Sequence, residues 1–278
     1  MQAMQNTTKS LDRDHLSVLV AILLLGSLLF HFIELPEHTW QWKPFGSPLE
    51  IRVTGTWLLV VFMAALVCTG TNLILHGHPY LGEHIGRPIY LAWILPGILA
   101  ALFAYLLDRI PVWPLWIVGL LFSGVVLSTV IAAEYHIVSP RSPGYPSARL
   151  ALNGLDYGLA YVLFTVIYHS RARSLVTAPL MFGIAFLLSL DLLSIAEVPF
   201  RRIVLMSLVV GLEVGESSWA LNYWQIEAWA GGLLLLLIFY VTVNVIYQHL
   251  LERLKRRTLI EFAIVAVIVL AVVLWRAW

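Results

Sequence analysis

Residues 228–241 read AWAGGLLLLLIFYV and contain no charged side chain. Five consecutive leucines do not alternate with polar residues, so the segment does not fit a strand of a transmembrane β-barrel. An α-helix rises 1.5 Å per residue, and about 20 apolar residues therefore cross a hydrocarbon core about 30 Å thick. The surrounding apolar run, residues 227–250, is long enough for this. It predicts a membrane-spanning helix.

Comparable apolar runs fill most of the 278-residue chain, in which hydrophobic residues make up 60% and charged residues only 12%. A soluble domain carries about 25% charged residues. Within lipid, backbone polar groups must bond inside their own segment, which favours helices. We therefore predict an all-α, polytopic transmembrane helix bundle with about nine spans. The predicted spans are residues 16–35, 56–75, 88–108, 112–133, 150–168, 175–196, 203–223, 227–250 and 259–276.

The connectors between these spans are too short for a folded extramembrane domain. We predict a single transmembrane domain, residues 16–278, after a cytoplasmic N-terminal tail, residues 1–15. With nine spans, alternate connectors share a side, and one side carries eleven Lys and Arg residues against six on the other. The side richer in positive charge is expected to be cytoplasmic. This places the N-terminus inside and the C-terminus outside.

Acidic residues inside the predicted spans are the strongest indication of a functional site. Asp156 lies in the fifth span, Asp191 in the sixth, and Glu213 and Glu216 in the seventh. A charged side chain at the centre of the bilayer costs at least ~2.5–3.5 kcal/mol, so such residues usually face the interior of a bundle. Glu216 follows Glu213 by three positions, which places both on one helix face.

Polar neighbours extend this pattern. Asn153 precedes Asp156 by about one turn, Ser217 follows Glu213 by four positions, and Asn244 lies on a polar face of the eighth span. Spans five to eight are therefore predicted to enclose a polar, partly hydrated interior. The candidate interior or pathway residues are Asp156, Asp191, Glu213, Glu216, Asn153, Ser217 and Asn244.

Two interpretations of these residues remain open. They form polar contacts between helices, each worth about 0.6 kcal/mol on average, or they line a pathway for protons, cations or a small polar solute. The chain carries no transport or catalytic motif. This absence favours a structural or accessory membrane protein, or a subunit of a membrane complex, with a small transporter or channel as the alternative.

Histidines offer the main route to a membrane-embedded enzyme, which is the second alternative. His76, His78 and His84 lie in one predicted cytoplasmic connector, and imidazole is the commonest metal ligand. The HExxH zinc motif is absent, and one cysteine, Cys68, cannot form a Cys-rich metal site or an internal disulfide. We therefore predict no metal site and no cofactor, with these three histidines as the candidates should a metal bind.

The charge distribution limits the expected partners. The net charge is +1, and the one dense basic cluster, residues 253–257, lies between two predicted spans. Such a cluster is typical of a cytoplasmic loop held near anionic headgroups, whereas a nucleic-acid binder carries a basic stripe outside the membrane. The expected partners are the lipid bilayer together with other membrane proteins or further copies of this chain, and not nucleic acid.

Residues 215–224 read GESSWALNYW and precede an apolar span. This segment resembles the C-terminal part of an uncharacterised family of bacterial multi-pass membrane proteins, and the resemblance covers the last quarter to third of the chain. It implies a bacterial cytoplasmic (inner) membrane protein and no particular activity. Because residues 215–226 are mixed in polarity, they also fit a re-entrant or interfacial segment instead of part of a span.

Overall fold

The computed structural model describes residues 13–33, 38–42, 49–77, 88–138, 144–196, 198–224, 226–253 and 255–277. These residues form nine α-helices, one short 3-10 helix and one two-stranded hairpin. Eight of the helices are long and apolar enough to cross a membrane. The all-α, polytopic helix bundle is therefore confirmed.

The chain divides into two compact units, residues 1–149 and residues 150–278. Of the predicted N-terminal tail, only residues 13–15 lie in the described part of the chain, where they begin the first helix. The single transmembrane domain stays a prediction, and each unit is taken separately below. The first unit contains α1 (Arg13–Phe32), β1 (His38–Trp42), β2 (Leu49–Val53), α2 (Gly55–His76), a 3-10 helix (Ile89–Trp93), α3 (Ile94–Asp108) and α4 (Trp113–Ile137).

Helices α1 to α4 form an up-and-down four-helix arrangement in which α1 and α3 each pack against both α2 and α4. Phe30 lies 5.5 Å from Phe62 across α1 and α2, and Phe103 lies 6.1 Å from Phe122 across α3 and α4. The connection between α3 and α4, residues 109–112, is short, and such connections join antiparallel neighbours. The apolar side chains between the four helices form the core of this unit.

Among the described residues of the first unit, the hairpin is a part that the apolar runs do not predict. Strands β1 and β2 pair antiparallel, with His38 opposite Val53 and Trp42 opposite Leu49. They occupy the connector between α1 and α2. Residues 38–42 and 49–53 are rich in aromatic and β-branched side chains that favour strands. Five residues are too few to be seen by a search for 20-residue spans.

The second unit packs around a tight helical hairpin. It contains α5 (Tyr145–His169) from Leu150 onward, together with α6 (Ser174–Leu193), α7 (Phe200–Leu221), α8 (Ala228–Leu250) and α9 (Arg256–Ala277). Helix α7 packs on α6 through two glycines, because a Cβ at Gly211 would lie only 3.0 Å from the carbonyl oxygen of Phe182, and one at Gly215 only 3.2 Å from that of Ala178. Small residues four positions apart commonly allow this close approach in membranes. Helix α8 then packs on α7, and α9 on α8.

Helix α5 meets α8 through another close backbone contact. A Cβ at Gly232 would lie 2.0 Å from Oγ1 and 2.9 Å from Cα of Thr165. Farther along α8, aromatic rings fill the space between the helices, with Phe164 5.8 Å and Tyr157 6.0 Å from Phe239 between ring centroids. The order of these contacts makes α5 and α8 antiparallel.

One end of α5 is also held to the connection between α7 and α8. The Tyr168 hydroxyl lies 3.0 Å from the backbone oxygens of Leu221 and Trp224, to which it can donate. The Arg171 guanidinium donates to the backbone oxygen of Ile226 at 2.5 Å and lies 4.6 Å from the centroid of the Tyr168 ring. Together these contacts hold the connection between α7 and α8 against the end of α5.

The observed helices fall close to the predicted spans. The ninth span corresponds to α9, in which residues 260–271 form the shorter apolar stretch. Helix α7 continues without a break to Leu221, so residues 215–221 belong to a helix of membrane-spanning length and only the following residues form the connection. The continuous helix favours a span over a re-entrant segment for residues 215–221, and the position of residues 222–226 relative to the interface stays a prediction.

Candidate functional site

Asp156 occupies the most enclosed position among the predicted site residues. Helix α5 runs from Tyr145 to His169, so Asp156 lies one residue from its midpoint, and its side chain is 0% exposed. On a spanning helix this is close to the centre of the bilayer, where a charge is most costly. Asn153 lies about one turn earlier on α5 and is half-buried.

The next residue, Tyr157, connects α5 to α8. The side-chain amide of Asn244 donates a hydrogen bond to the Tyr157 hydroxyl at 2.9 Å. The same amide donates to the backbone oxygen of Tyr240, one turn back on α8, at 2.8 Å. The Tyr240 ring also packs 5.4 Å from the Tyr157 ring. The predicted residue Asn244 therefore makes the polar contact between α5 and α8.

Glu213 makes the corresponding contact between α7 and α8. The Thr242 hydroxyl donates to Oε2 of Glu213 at 2.7 Å. Thr242 is absent from the predicted set. It could have been found as the one Thr of an otherwise largely apolar helix, two positions before Asn244. The rest of the Glu213 side chain is exposed.

The hydrogen bonds from Asn244 to Tyr157 and from Thr242 to Glu213 extend from opposite sides of α8. Thr242 and Asn244 are two positions apart, and each position turns the helix by about 100°, so their directions differ by roughly 200°. Their depths differ by only about 3 Å. Tyr157 and Glu213 therefore lie at nearly the same level, with α8 between them.

The remaining acids lie elsewhere. Asp191 is 5% exposed and close to the end of α6, where the Ser194 hydroxyl donates to its backbone oxygen at 2.6 Å. The Ser189 hydroxyl reaches the backbone oxygen of Ser207 at 3.5 Å. With Ser189 beside Ser207 and the two helices antiparallel, Asp191 lies at about the level of residue 205 of α7. Glu213 is eight positions farther along α7, or roughly 12 Å away in depth.

Glu216 points away from the packed face of α7. That face is formed by Ile203, Ser207, Val210, Gly211, Val214, Gly215 and Ser218. Glu216 is exposed and Ser217 half-buried. The Glu216 carboxylate accepts no hydrogen bond from the residues that the structure describes. Glu213 and Glu216 thus share an outward direction, as their spacing predicts.

One buried acid, Glu134, is missing from the predicted set. It lies on α4 and is 0% exposed. The predicted fourth span stops at residue 133, whereas α4 continues to Ile137. Extending the apolar pattern by one turn would have included Glu134, because the helix continues past the end of the purely apolar run.

The histidines give no ligand set in the described part of the chain. His76 is exposed, and its Nδ1 lies 2.8 Å from the backbone oxygen of Asn72 on the same helix. His78 and His84 lie outside the described residues. Among the residues described, no three His, Cys, Asp or Glu side chains come together as a metal site.

Comparison with known families identifies the chain as follows. The model of a family described as "Protein of unknown function (DUF5656)" matches residues 35–276. The chain belongs to this family. No curated protein and no solved structure matches it. The DUF5656 match covers most of the chain, so the resemblance is not limited to the C-terminal third, while a bacterial origin stays a prediction.

The arrangement in this DUF5656 protein has two chemical consequences. Polar side chains of α5, α7 and α8 join neighbouring helices by specific hydrogen bonds, and such bonds stabilise helix association in lipid. The exposed carboxylates of α7 are available to groups outside the unit.

Proposed function

We propose that this membrane-embedded DUF5656 protein is a structural or accessory protein that acts as a subunit of a membrane complex. The observation that carries the proposal is the outward direction of Glu213 and Glu216 on α7, a helix of spanning length. Carboxylates at this depth are unfavourable against acyl chains. A neighbouring protein that covers them would remove this penalty.

The internal contacts of the second unit support the same proposal. Asn244 and Thr242 bond to different helices on different sides of α8. Each bond fixes one pair of helices, which is a structural task. A rigid second unit of this kind would present α7 to a partner in a fixed orientation.

The proposal includes a location. Eight apolar helices embed the protein in a membrane, and we place it in a bacterial cytoplasmic membrane with the N-terminus inside and the C-terminus outside. The excess of Lys and Arg on one set of connectors supports this orientation.

The test is to isolate the full-length protein with its native lipids. A tagged chain expressed at its native level is extracted into polymer-bounded lipid particles, and the mass and protein content of the particles are measured. We expect a second membrane protein at a constant ratio to the tagged chain under several extraction conditions. Particles that contain only this chain and lipid under all conditions would contradict the proposal.

A second candidate function rests on Asp156. An acid that is 0% exposed and one residue from the midpoint of a spanning helix is typical of proton or cation carriers. Vesicles containing the purified protein and a pH-sensitive dye would test this. A carrier requires proton or cation flux that Asp156→Asn abolishes and that Asp108→Asn, at the exposed end of α3, leaves intact. Absence of flux with the unchanged protein would exclude this candidate.

A further inference from the structure

We propose that the outward face of α7 binds a transmembrane helix of another protein that carries Arg or Lys at the level of Glu216. This inference rests on the proposed role as a complex subunit and names the chemistry of the partner. We call this face the acidic stripe. It consists of Leu205, Val209, Leu212, Glu213, Glu216 and Trp219.

The acidic stripe has the spacing of a helix-packing seam. Leu205, Val209, Leu212, Glu216 and Trp219 follow one another at intervals of four, three, four and three residues. This is the heptad spacing by which one helix packs along another. Leu205, Val209, Leu212 and Trp219 are 50–54% exposed, so the seam is open along four turns of α7.

The two carboxylates distinguish this seam from an ordinary lipid-facing surface. Helix α7 has its midpoint between residues 210 and 211, so Glu213 lies roughly 4 Å and Glu216 roughly 8 Å from the middle of the helix. Both positions are within the hydrocarbon core, which extends about 15 Å from its centre. On a span centred in the bilayer, the backbone of Glu216 would therefore lie below the headgroup level, and Thr242 is the hydrogen-bond donor that the structure shows for Glu213.

The described helices provide no counter-charge at this depth. No Lys or Arg lies within seven positions of the midpoint of any of the nine described helices, a window that includes the level of Glu216. A second copy in the same membrane orientation, related by a two-fold axis, would place Glu216 beside its own equivalent. The complementary group must therefore come from a different protein, which excludes a second copy as the favoured occupant.

The chemistry of the stripe favours Arg over Lys. Trp219 lies one turn beyond Glu216 on the same exposed face, and an indole ring attracts a guanidinium placed over it. A guanidinium can also donate two parallel hydrogen bonds to one carboxylate. One Arg side chain of the partner could therefore contact both Glu216 and Trp219.

The test uses the full-length protein in phosphatidylcholine vesicles and synthetic helical probes. Three 24-residue Leu-Ala peptides differ at one position, chosen to lie at the level of Glu216, which carries Arg, Leu or Glu. Energy transfer from labelled protein to labelled peptide measures binding. We expect the Arg peptide to bind about tenfold more tightly than the Leu peptide.

Two variants and a control link the preference to the stripe. Glu216→Gln should remove the advantage of the Arg peptide, and Glu216→Lys should transfer the advantage to the Glu peptide. The reversal in Glu216→Lys cannot result from misfolding. Glu252→Gln, an exposed acid beyond the end of α8, should behave like the unchanged protein.

Equal binding of the Arg and Leu peptides to the unchanged protein would overturn the inference. Self-association that exceeds Arg-peptide binding and disappears in Glu216→Gln would also overturn it, because the occupant would then be a second copy. If the Arg preference fails while native lipid particles still contain a fixed partner, only this inference fails. If the preference holds and native particles contain no partner, the proposed function fails instead.

Discussion

Replacement of Gly232 by Ala is expected to weaken the contact between α5 and α8. The new Cβ would lie 2.0 Å from Oγ1 and 2.9 Å from Cα of Thr165. The hydroxyl can rotate away, but the Cα belongs to the backbone of α5, so the whole helix must shift by roughly 0.5 Å to reach ordinary contact near 3.4 Å. Overpacking of this kind typically costs about 1–3 kcal/mol.

A matched control separates packing from helix propensity. Gly158 lies on α5, and a Cβ there would meet no atom within 4 Å. Gly158→Ala should therefore show only the propensity gain, up to about 1 kcal/mol. Gly232→Ala gains the same helix propensity, so the difference in unfolding free energy between the two variants gives the steric penalty.

The free energy of unfolding in lipid bicelles, followed by tryptophan fluorescence during detergent titration, measures both variants. We expect Gly232→Ala to be less stable than Gly158→Ala by about 2 kcal/mol, from the steric penalty. Equal stability of the two variants would refute the close contact between α5 and α8 and, with it, the position of α8 between Tyr157 and Glu213.

Three further predictions concern the same unit. A double-mutant cycle of Glu213→Gln and Thr242→Val should give a coupling of about 0.6 kcal/mol in unfolding free energy. A coupling of zero would show that this hydrogen bond does not hold α7 to α8. Arg171→Met should lower the unfolding free energy by about 1–3 kcal/mol, since a buried carbonyl in the α7–α8 connection loses its charged donor; an unchanged value would show that water replaces the guanidinium. Ser170 lies between α5 and α6, on the predicted outer side. In a Cys68→Ser background, Ser170→Cys should therefore react with a membrane-impermeant maleimide on intact cells, and labelling only after lysis would show the opposite orientation.

The helices could be predicted from the sequence because lipid imposes a simple rule. A segment in the bilayer must satisfy its own backbone, so length and apolar composition alone indicate a helix. Residues 227–250 and Ala228–Leu250 agree closely for this reason. Helix ends are less well determined, because α4 continues one turn past its apolar run and includes Glu134. The hairpin of β1 and β2 depends on strand pairing, which a search for apolar spans does not detect.

The candidate site could be predicted only in part. Spacing alone places Glu213 and Glu216 on one face of α7, because the period of a helix is fixed. Spacing within one helix cannot show which neighbour that face meets. The direction depends on Gly211 and Gly215, which bring the opposite face against α6. The roles of Thr242 and Asn244 likewise depend on how α5 and α7 are arranged around α8.

The central claim is that α8 lies between Tyr157, the neighbour of Asp156 on α5, and Glu213, and we therefore expect Asp156 and Glu213 not to share one hydrated pocket. A double-mutant cycle of Asp156→Asn and Glu213→Gln, measured as unfolding free energy in bicelles at two pH values, tests it most directly. Separated sites predict additive effects within about 0.5 kcal/mol at both pH values. A coupling of about 1 kcal/mol or more that changes with pH would place both carboxylates in one pocket and contradict the claim.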